Sequence, residues 1–336
     1  MMRARRSRRA ICVLALLLLL TLVLSFPIGR FDVPLLQAVK ILASRVAPVA
    51  PTWTAQMEAV ILRIRLPRIL MACLVGASLA AAGAAYQGVF QNPMASPDIL
   101  GASTGAAFGA AAAILWGGSA GWIMLAAFLS SVCAVLFAYL IALRAPGTRV
   151  TNLILAGIML GTLLSAGTSL IKLAADPSSQ LPQITYWLMG SLSDVKQRDL
   201  LRAFVPMAAG LAPLYLLRWR LNLLAMGDES AHALGANVNL LRLGVILCAT
   251  LITAASVAVS GVIGWVGLVI PHLCRRLVGG NYQYLLPASA LAGAAFLLAA
   301  DGVARSLLAV EIPIGILTSF IGAPFFLALL LKRRMM

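Results

Sequence analysis

The side chains able to do chemistry are few in this 336-residue chain, which holds ten carboxylates, two histidines and five cysteines. Bond chemistry asks for carboxylates, histidine or an activated hydroxyl gathered near one face of a fold. No such cluster is spaced along this sequence, which argues against an integral-membrane enzyme. A proton-driven pump asks for ionisable groups inside its membrane spans. No apolar run here carries a carboxylate–histidine relay or a voltage-sensor-like series of basic residues. The phosphate-cradling pattern GxxxxGK[ST] is absent, so any ATPase acting with this chain would be a separate one. Cys12, Cys73, Cys133, Cys248 and Cys274 lie in or at the ends of apolar runs without CxxC spacing. They read as small core residues rather than as a metal or disulfide set.

One polar stretch stands apart, LNLLAMGDESAHALGANV over residues 221–238. Gly227 breaks the preceding segment, Asp228 is placed to act as N-cap, and Glu229 adds negative charge at the positive end of the helix dipole. Gly235 is placed to close the helix in a left-handed cap. The spacing predicts a helix over Asp228–Leu234, too short to be stable unless it packs on something. One reading is a loop helix on its own protein. The other is a docking knob for a cytoplasmic partner, with Leu223, Leu224, Met226, Ala231 and Leu234 as apolar contacts. Polar residues such as Ser230 and His232 would set its orientation.

The elements that carry this stretch are membrane spans. The chain is 62% hydrophobic and 11% charged, too apolar for a water-covered surface. Its apolar runs are unbroken, which excludes the alternation of a membrane β-barrel. The net charge of +16 would suggest nucleic acid in a soluble protein, but here the arginines fall mostly between apolar runs, where they set topology. Nucleic acid is therefore not an expected partner; the lipid bilayer is. About ten spans are expected, at 10–29, 66–88, 98–116, 121–143, 150–171, 200–217, 240–259, 261–279, 285–303 and 314–331. The basic start MMRARRSRR marks an uncleaved first span with a cytoplasmic N-terminus. Ten spans bring the C-terminal LKRRMM to the same side.

Small residues recur every fourth position at Gly101, Gly105 and Gly109, and again at Gly157 and Gly161. Close helix packing is the first reading of such stripes. A pathway lining is the second, supported on the fifth span by Gly161, Thr162, Ser165, Thr168 and Ser169, which supply polar groups at membrane depth.

Longer blocks carry a resemblance. They are RLPRILMACLVGASLAAAGAAYQGVFQNPMASPDILGASTGA at 65–105, YWLMGSL at 186–192, GWVGLVIPHLCRRLVG at 264–279, LLPASALAGAAFLLAADGVAR at 285–305 and EIPIGILTSFIGAPFFLALL at 311–330. In this order they resemble the FecCD-type permeases of type II ATP-binding-cassette importers, which carry iron–siderophore complexes, haem and cobalamin. The resemblance implies an all-α polytopic membrane protein of the BtuC-like permease fold, a single domain over 1–336 with two inverted helical halves. It implies a homodimer in the bacterial inner membrane, two cytoplasmic ATPase subunits that hold the ATP and magnesium, and a periplasmic substrate-binding protein. Residues 221–238 become the coupling helix, with Gly227 to Gly235 seated in the ATPase. Arg65, Arg68 and Arg305 match positions that dock the binding protein, although Asp301 and Glu311 lie near enough to hold Arg305 internally. Asn92-Pro93 and Ser96-Pro97 mark a tight turn facing the ATPase, and His272, after Pro271, is a structural residue. A ferric siderophore is the first expected cargo, then haem or cobalamin, then an oxyanion such as molybdate.

Overall fold

The computed structural model describes residues 2–308 and 310–333, which are predominantly helical, with no strand among them. Residues 334–336, the last part of the LKRRMM tail, lie outside the described residues. All ten expected spans are helical. They are α1 (Met2–Ser25), α2 (Leu66–Val89), α3 (Ala102–Leu115), α4 (Ala120–Arg144), α5 (Arg149–Ala174), α6 (Gln197–Leu216), α7 (Val238–Ser260), α8 (Val266–Val278), α9 (Tyr282–Ser306) and α10 (Ile314–Arg333). Connectors 90–101, 145–148, 217–237 and 279–281 share an end with the start of α1, here called proximal. Its cross-links include Ser7 Oγ donating to the Val278 carbonyl at 3.0 Å and Asn222 Nδ2 donating to Asn281 Oδ1 at 3.2 Å. The opposite end is called distal.

Among the described residues, seven helices are long and apolar enough to cross a bilayer. Helices α3 and α8 are shorter than the sequence predicts, with 14 and 13 residues. At 1.5 Å per residue each covers only about 20 Å of a hydrocarbon core roughly 30 Å thick. The cause is local backbone. Gly101, at φ +81°, ends a 3₁₀ turn over Pro97–Leu100, while Gly261 at φ +67° and Trp265 at φ +71° interrupt the chain before α8. Irregular backbone at membrane depth is stable only inside protein. Both are enclosed here: the first packs on the start of α8, for a Cβ on Gly267 would stand 2.7 Å from Pro97 Cδ, and the second packs on the 180–190 segment, for a Cβ on Gly261 would collide with the Trp187 carbonyl oxygen. They also occupy the second place of the quartets α2–α5 and α7–α10, and paired interruptions of this kind mark functional regions of inverted-repeat transporters.

Helix α2 is the centre of the bundle, buried along most of its length and packed against α7, α8 and α9. Between helices in lipid the drive is close packing rather than water exclusion, so small residues sit at the crossings. Gly76 on α2 and Gly293 on α9 touch so closely that a Cβ on either would run into the other's backbone oxygen. Gly105 and Gly109 pack α3 onto Ser130, Ser131 and Ala126 of α4. Of the five cysteines, all unpaired, Cys274 is buried but Cys12 and Cys133 lie on exposed helix faces. The expectation of core positions is corrected for those two.

Two distal segments escaped the span count because they are amphipathic and short. One is the helix Leu35–Ala43. The other is Gln180–Leu188, tied to the end of α3 by Gln180 Nε2 donating to the Leu115 carbonyl at 2.9 Å. Beyond it, the Gly190 carbonyl accepts from the Gly315 amide at 3.3 Å, so this segment reaches the first turn of α10.

Candidate functional site

The proximal polar stretch folds as two short helices, Leu221–Ala225 and Asp228–Ala233, joined through Gly227 at φ +99°. The N-cap is Gly227, not Asp228. The aspartate occupies the first helical position, and its side chain pairs with Arg242 of α7 at 2.5 Å. Both Asp228 and Glu229 still stand in the first turn, where their charge suits the dipole. The expected left-handed closure is present: Gly235 has φ +77°, its amide bonds the His232 carbonyl at 2.9 Å, and the Ala236 amide reaches the Ala231 carbonyl at 3.1 Å. This reciprocal pair is a Schellman closure, with Leu234 as the cap residue.

Burial sorts the stretch into an anchor and a free ridge. Leu221, Leu224 and Ala231 are buried in the protein's own core. Leu224 and Ala231 are therefore attachment residues, not the partner contacts expected for them, because the turn at Gly227 rotates them inward. Met226 and Leu234 stay 59% and 62% exposed, and Glu229, Ser230, His232 and Gly235 share that exposure, while Leu223 is half-buried. Arg242 is the residue that sequence reasoning missed. Its guanidinium is 1% exposed, and Nε and Nη1 have no hydrogen-bond partner among the described residues. The only signal for it was a lone charge in the first turns of α7.

The rest of the proximal face closes around this ridge. Asn222 Oδ1 accepts from the Tyr282 amide at 3.0 Å, and Arg275 Nη2 donates to Gln87 Oε1 at 3.0 Å. Arg149 at the start of α5 donates to Asn239 at the start of α7. The NPMASP turn presents Gln91, Asn92 and Met94 to solvent beside Gly227, and it packs on α5, since a Cβ on Gly157 would collide with the Ile99 carbonyl. Asp98, directly after that turn, accepts from the Ser103 hydroxyl in the first turn of α3.

At the distal end the three expected docking arginines come together, but not as surface charges. Arg65, Arg68 and Arg305 are 3%, 4% and 5% exposed. Arg68 Nε meets Asp301 Oδ1 at 2.9 Å, and its Nη1 meets both oxygens of Glu311 at 3.1 and 2.9 Å. Arg305 Nε stands 3.1 Å from Asp301 Oδ2, and Nη2 donates to Ser25 Oγ at 2.8 Å. Arg65 donates to the carbonyls of Phe26, Pro27 and Phe31. The loop after α1 thus wraps two of the guanidiniums, and the placement at the surface is corrected. Burial of a charge demands partners, and the partners were present in the sequence as Asp301 and Glu311. Arg30 and Arg63 remain exposed beside the cluster.

The pathway residues of α5 divide as well. Thr168 is buried, and Gly161 faces Thr104 of α3 across a packed contact. Thr162, Ser165 and Ser169 are exposed along one face of a helix that presents Ile158, Met159 and Leu163 beside them. A cavity of about 630 Å³ lies where Met189, Val262 and Gly264 face Gly315, Ser319 and Phe320 of α10, and none of the five is among the residues that line it.

Comparison with known proteins accounts for this arrangement. The sequence matches the model of the FecCD transport family over residues 17–332. It is 42% identical to a molybdate import system permease protein of Haemophilus influenzae, over 95% of this chain and 94% of that protein. It is 45% identical to a probable iron chelatin transport system permease protein of Helicobacter pylori, over 83% of this chain and 85% of the other. A solved structure described as an inward-facing ABC transporter of metal-chelate type superposes with a TM-score of 0.87 at 41% identity, covering 97% of this chain and 99% of that one. A multi-pass helical bundle with a free ridge at one end and these relatives over nearly its whole length belongs to the FecCD transport family, as a permease of the ATP-binding-cassette importers.

Proposed function

We propose that this permease imports a metal chelate, a ferric siderophore first, from the periplasm across the bacterial inner membrane. The proximal end and both termini are then cytoplasmic. Two copies pair about a shared pathway, and two ATPase subunits, which hold the ATP and magnesium, dock beneath; this chain catalyses no bond change and binds no cofactor. The observation that carries this reading is the ridge of Met226, Glu229, Ser230, His232 and Leu234, exposed on a helix whose other side is fixed to the bundle. Such a knob transmits a push from a partner to the bundle because the Asp228–Arg242 pair ties it to α7 and the helix carrying the buried Leu224 packs on α2.

The hydroxyls of Thr162, Ser165 and Ser169 suit a helix face that meets a second copy and a hydrated pathway better than one facing hydrocarbon. At the distal face a periplasmic binding protein would dock by charge, which speeds encounter and fixes orientation. Arg65, Arg68 and Arg305 serve this docking by holding the loop at 26–32 and Glu311 in place, and the exposed Arg30 and Arg63 supply direct contacts. Arg30→Glu with Arg63→Glu is expected to weaken binding-protein association in a salt-sensitive way, measured by titration at two ionic strengths; wild-type affinity in that variant would exclude the contact.

A molybdate importer is the second reading, favoured by the 42% identity to the molybdate permease. Uptake of labelled ferric siderophore, haem, cobalamin and molybdate in cells lacking this gene separates the readings. Loss of siderophore uptake, restored by the gene, is the expected result. Loss of molybdate uptake alone would move the assignment to an oxyanion.

A further inference from the structure

A second hollow lies away from the coupling face and from α10. It is a groove of about 690 Å³ between the distal halves of α4, α6 and α7, within the roughly 300–1,000 Å³ of ordinary ligand sites. Its walls are apolar, formed by Met124, Leu125 and Phe128 of α4, Pro206 of α6 and the small Ala255 and Ala258 of α7. Its lips carry exposed apolar side chains, Trp122 and Leu125 on one and Phe204 and Val205 beside the other, a surface suited to hydrocarbon rather than water. From Ser119 to Phe128 it follows α4 for about 14 Å at 1.5 Å per residue, or one leaflet of a core about 30 Å thick.

One charged side chain lines it, Arg202. Its carboxylate neighbour Asp199 is 3.8 Å away, a loose contact that leaves Arg202 half-exposed. The guanidinium instead lies over the first turn of α4, where Nη1 would be 3.2 Å from a Cβ on Gly121. That turn has no side-chain cap, because Ser119 accepts no amide. A cation set against the positive end of a helix is electrostatically unfavourable unless an anion joins them. Arg198, one turn earlier on α6, and Lys196 before it are also exposed, so the rim is net basic.

We propose that this groove is an anionic phospholipid site, in which one acyl chain fills the apolar wall and the phosphate sits between Arg202 and the first turn of α4. An apolar trough of single-leaflet depth with a cation at its headgroup end matches that amphiphile. A helix of a second copy would leave Arg202 without a counter-charge.

The test uses the purified complex, washed in detergent and exposed to phosphatidylglycerol or phosphatidylcholine, with retained lipid counted by native mass spectrometry. Wild type is expected to retain phosphatidylglycerol in preference to phosphatidylcholine. Arg202→Gln should reduce phosphatidylglycerol retention about tenfold, the loss of one charge-assisted bond, and abolish the preference. Ala255→Phe should fill the wall and remove both lipids. Arg202 is exposed, so its variant is expected to fold even where Ala255→Phe does not. Equal retention of the two lipids by wild type, or unchanged retention in Arg202→Gln, would overturn the proposal. So would efficient cross-linking of Leu125→Cys between two permease copies, since protein would then occupy the groove.

Discussion

Asp301→Ala is expected to cost about 3–5 kcal/mol of stability, the usual penalty for removing one partner of a buried ion pair. Asp301 is fully buried and serves two guanidiniums at once, Arg68 at 2.9 Å and Arg305 at 3.1 Å. Its loss leaves two positive charges 4% and 5% exposed, with Glu311 as the remaining carboxylate and the Ser25 hydroxyl and the Ser25 and Ile28 carbonyls as neutral partners. The damage would spread, because these arginines connect α2, α9, the end of α1 and the loop before α10. Asp301→Asn should behave almost as badly, since the amide fills the space without the charge. Glu311→Gln should cost much less, because Glu311 is 26% exposed and water can replace it. Replacing Arg68 and Asp301 together by leucine should recover part of the loss, as apolar substitutes for buried ion pairs often do. Thermal denaturation of detergent-purified protein, followed by size-exclusion profile, reads all four variants. A wild-type melting profile for Asp301→Ala would remove the cluster from the stability of the fold.

The same cluster shows what was legible in the sequence and what was not. The ten helices expected as spans were visible as apolar runs, and for the seven that are long enough to cross, such a run has one physical solution in lipid. The shortening of α3 and α8 was not, because it depends on Gly101, Gly261 and Trp265 taking positive φ, and a glycine in an apolar run reads equally as a packing residue. The arginines were found but misplaced. Topology puts Arg65, Arg68 and Arg305 at the correct end of their helices, yet depth below the surface is decided by the loop after α1 folding over them. Asp301 and Glu311 were noticed as neighbours of Arg305, and the structure gives Glu311 to Arg68 instead. In the 221–238 stretch the polar pattern located the helix to within a residue and the Gly235 closure correctly. It missed the division between anchor and ridge, since a two-turn helix with apolar residues on several sides does not declare which side the bundle takes.

That division leads to the second large effect, on the proposed coupling to the ATPase. Met226→Asp with Leu234→Asp places charges on the exposed ridge without touching the buried Leu224, Ala231 or the Asp228–Arg242 pair. Truncated apolar anchors at the centre of an interface commonly cost 2 kcal/mol or more, so ATPase affinity should fall at least about 30-fold. Insertion and melting of the permease itself should be unchanged, because both side chains already face water. Leu224→Asp would give the opposite pattern, a charge driven into the core and a protein that does not fold. Gly235→Val tests the same helix without altering the ridge. A β-branched residue at φ +77° strains the Schellman closure, so the ATPase should still bind while substrate-stimulated ATP turnover drops. Co-purification of the ATPase with each variant, followed by ATP turnover in proteoliposomes, distinguishes the cases. Full ATPase binding by the ridge double variant would mean that the partner sits elsewhere on the proximal face, with the NPMASP turn around Met94 as the next surface to change.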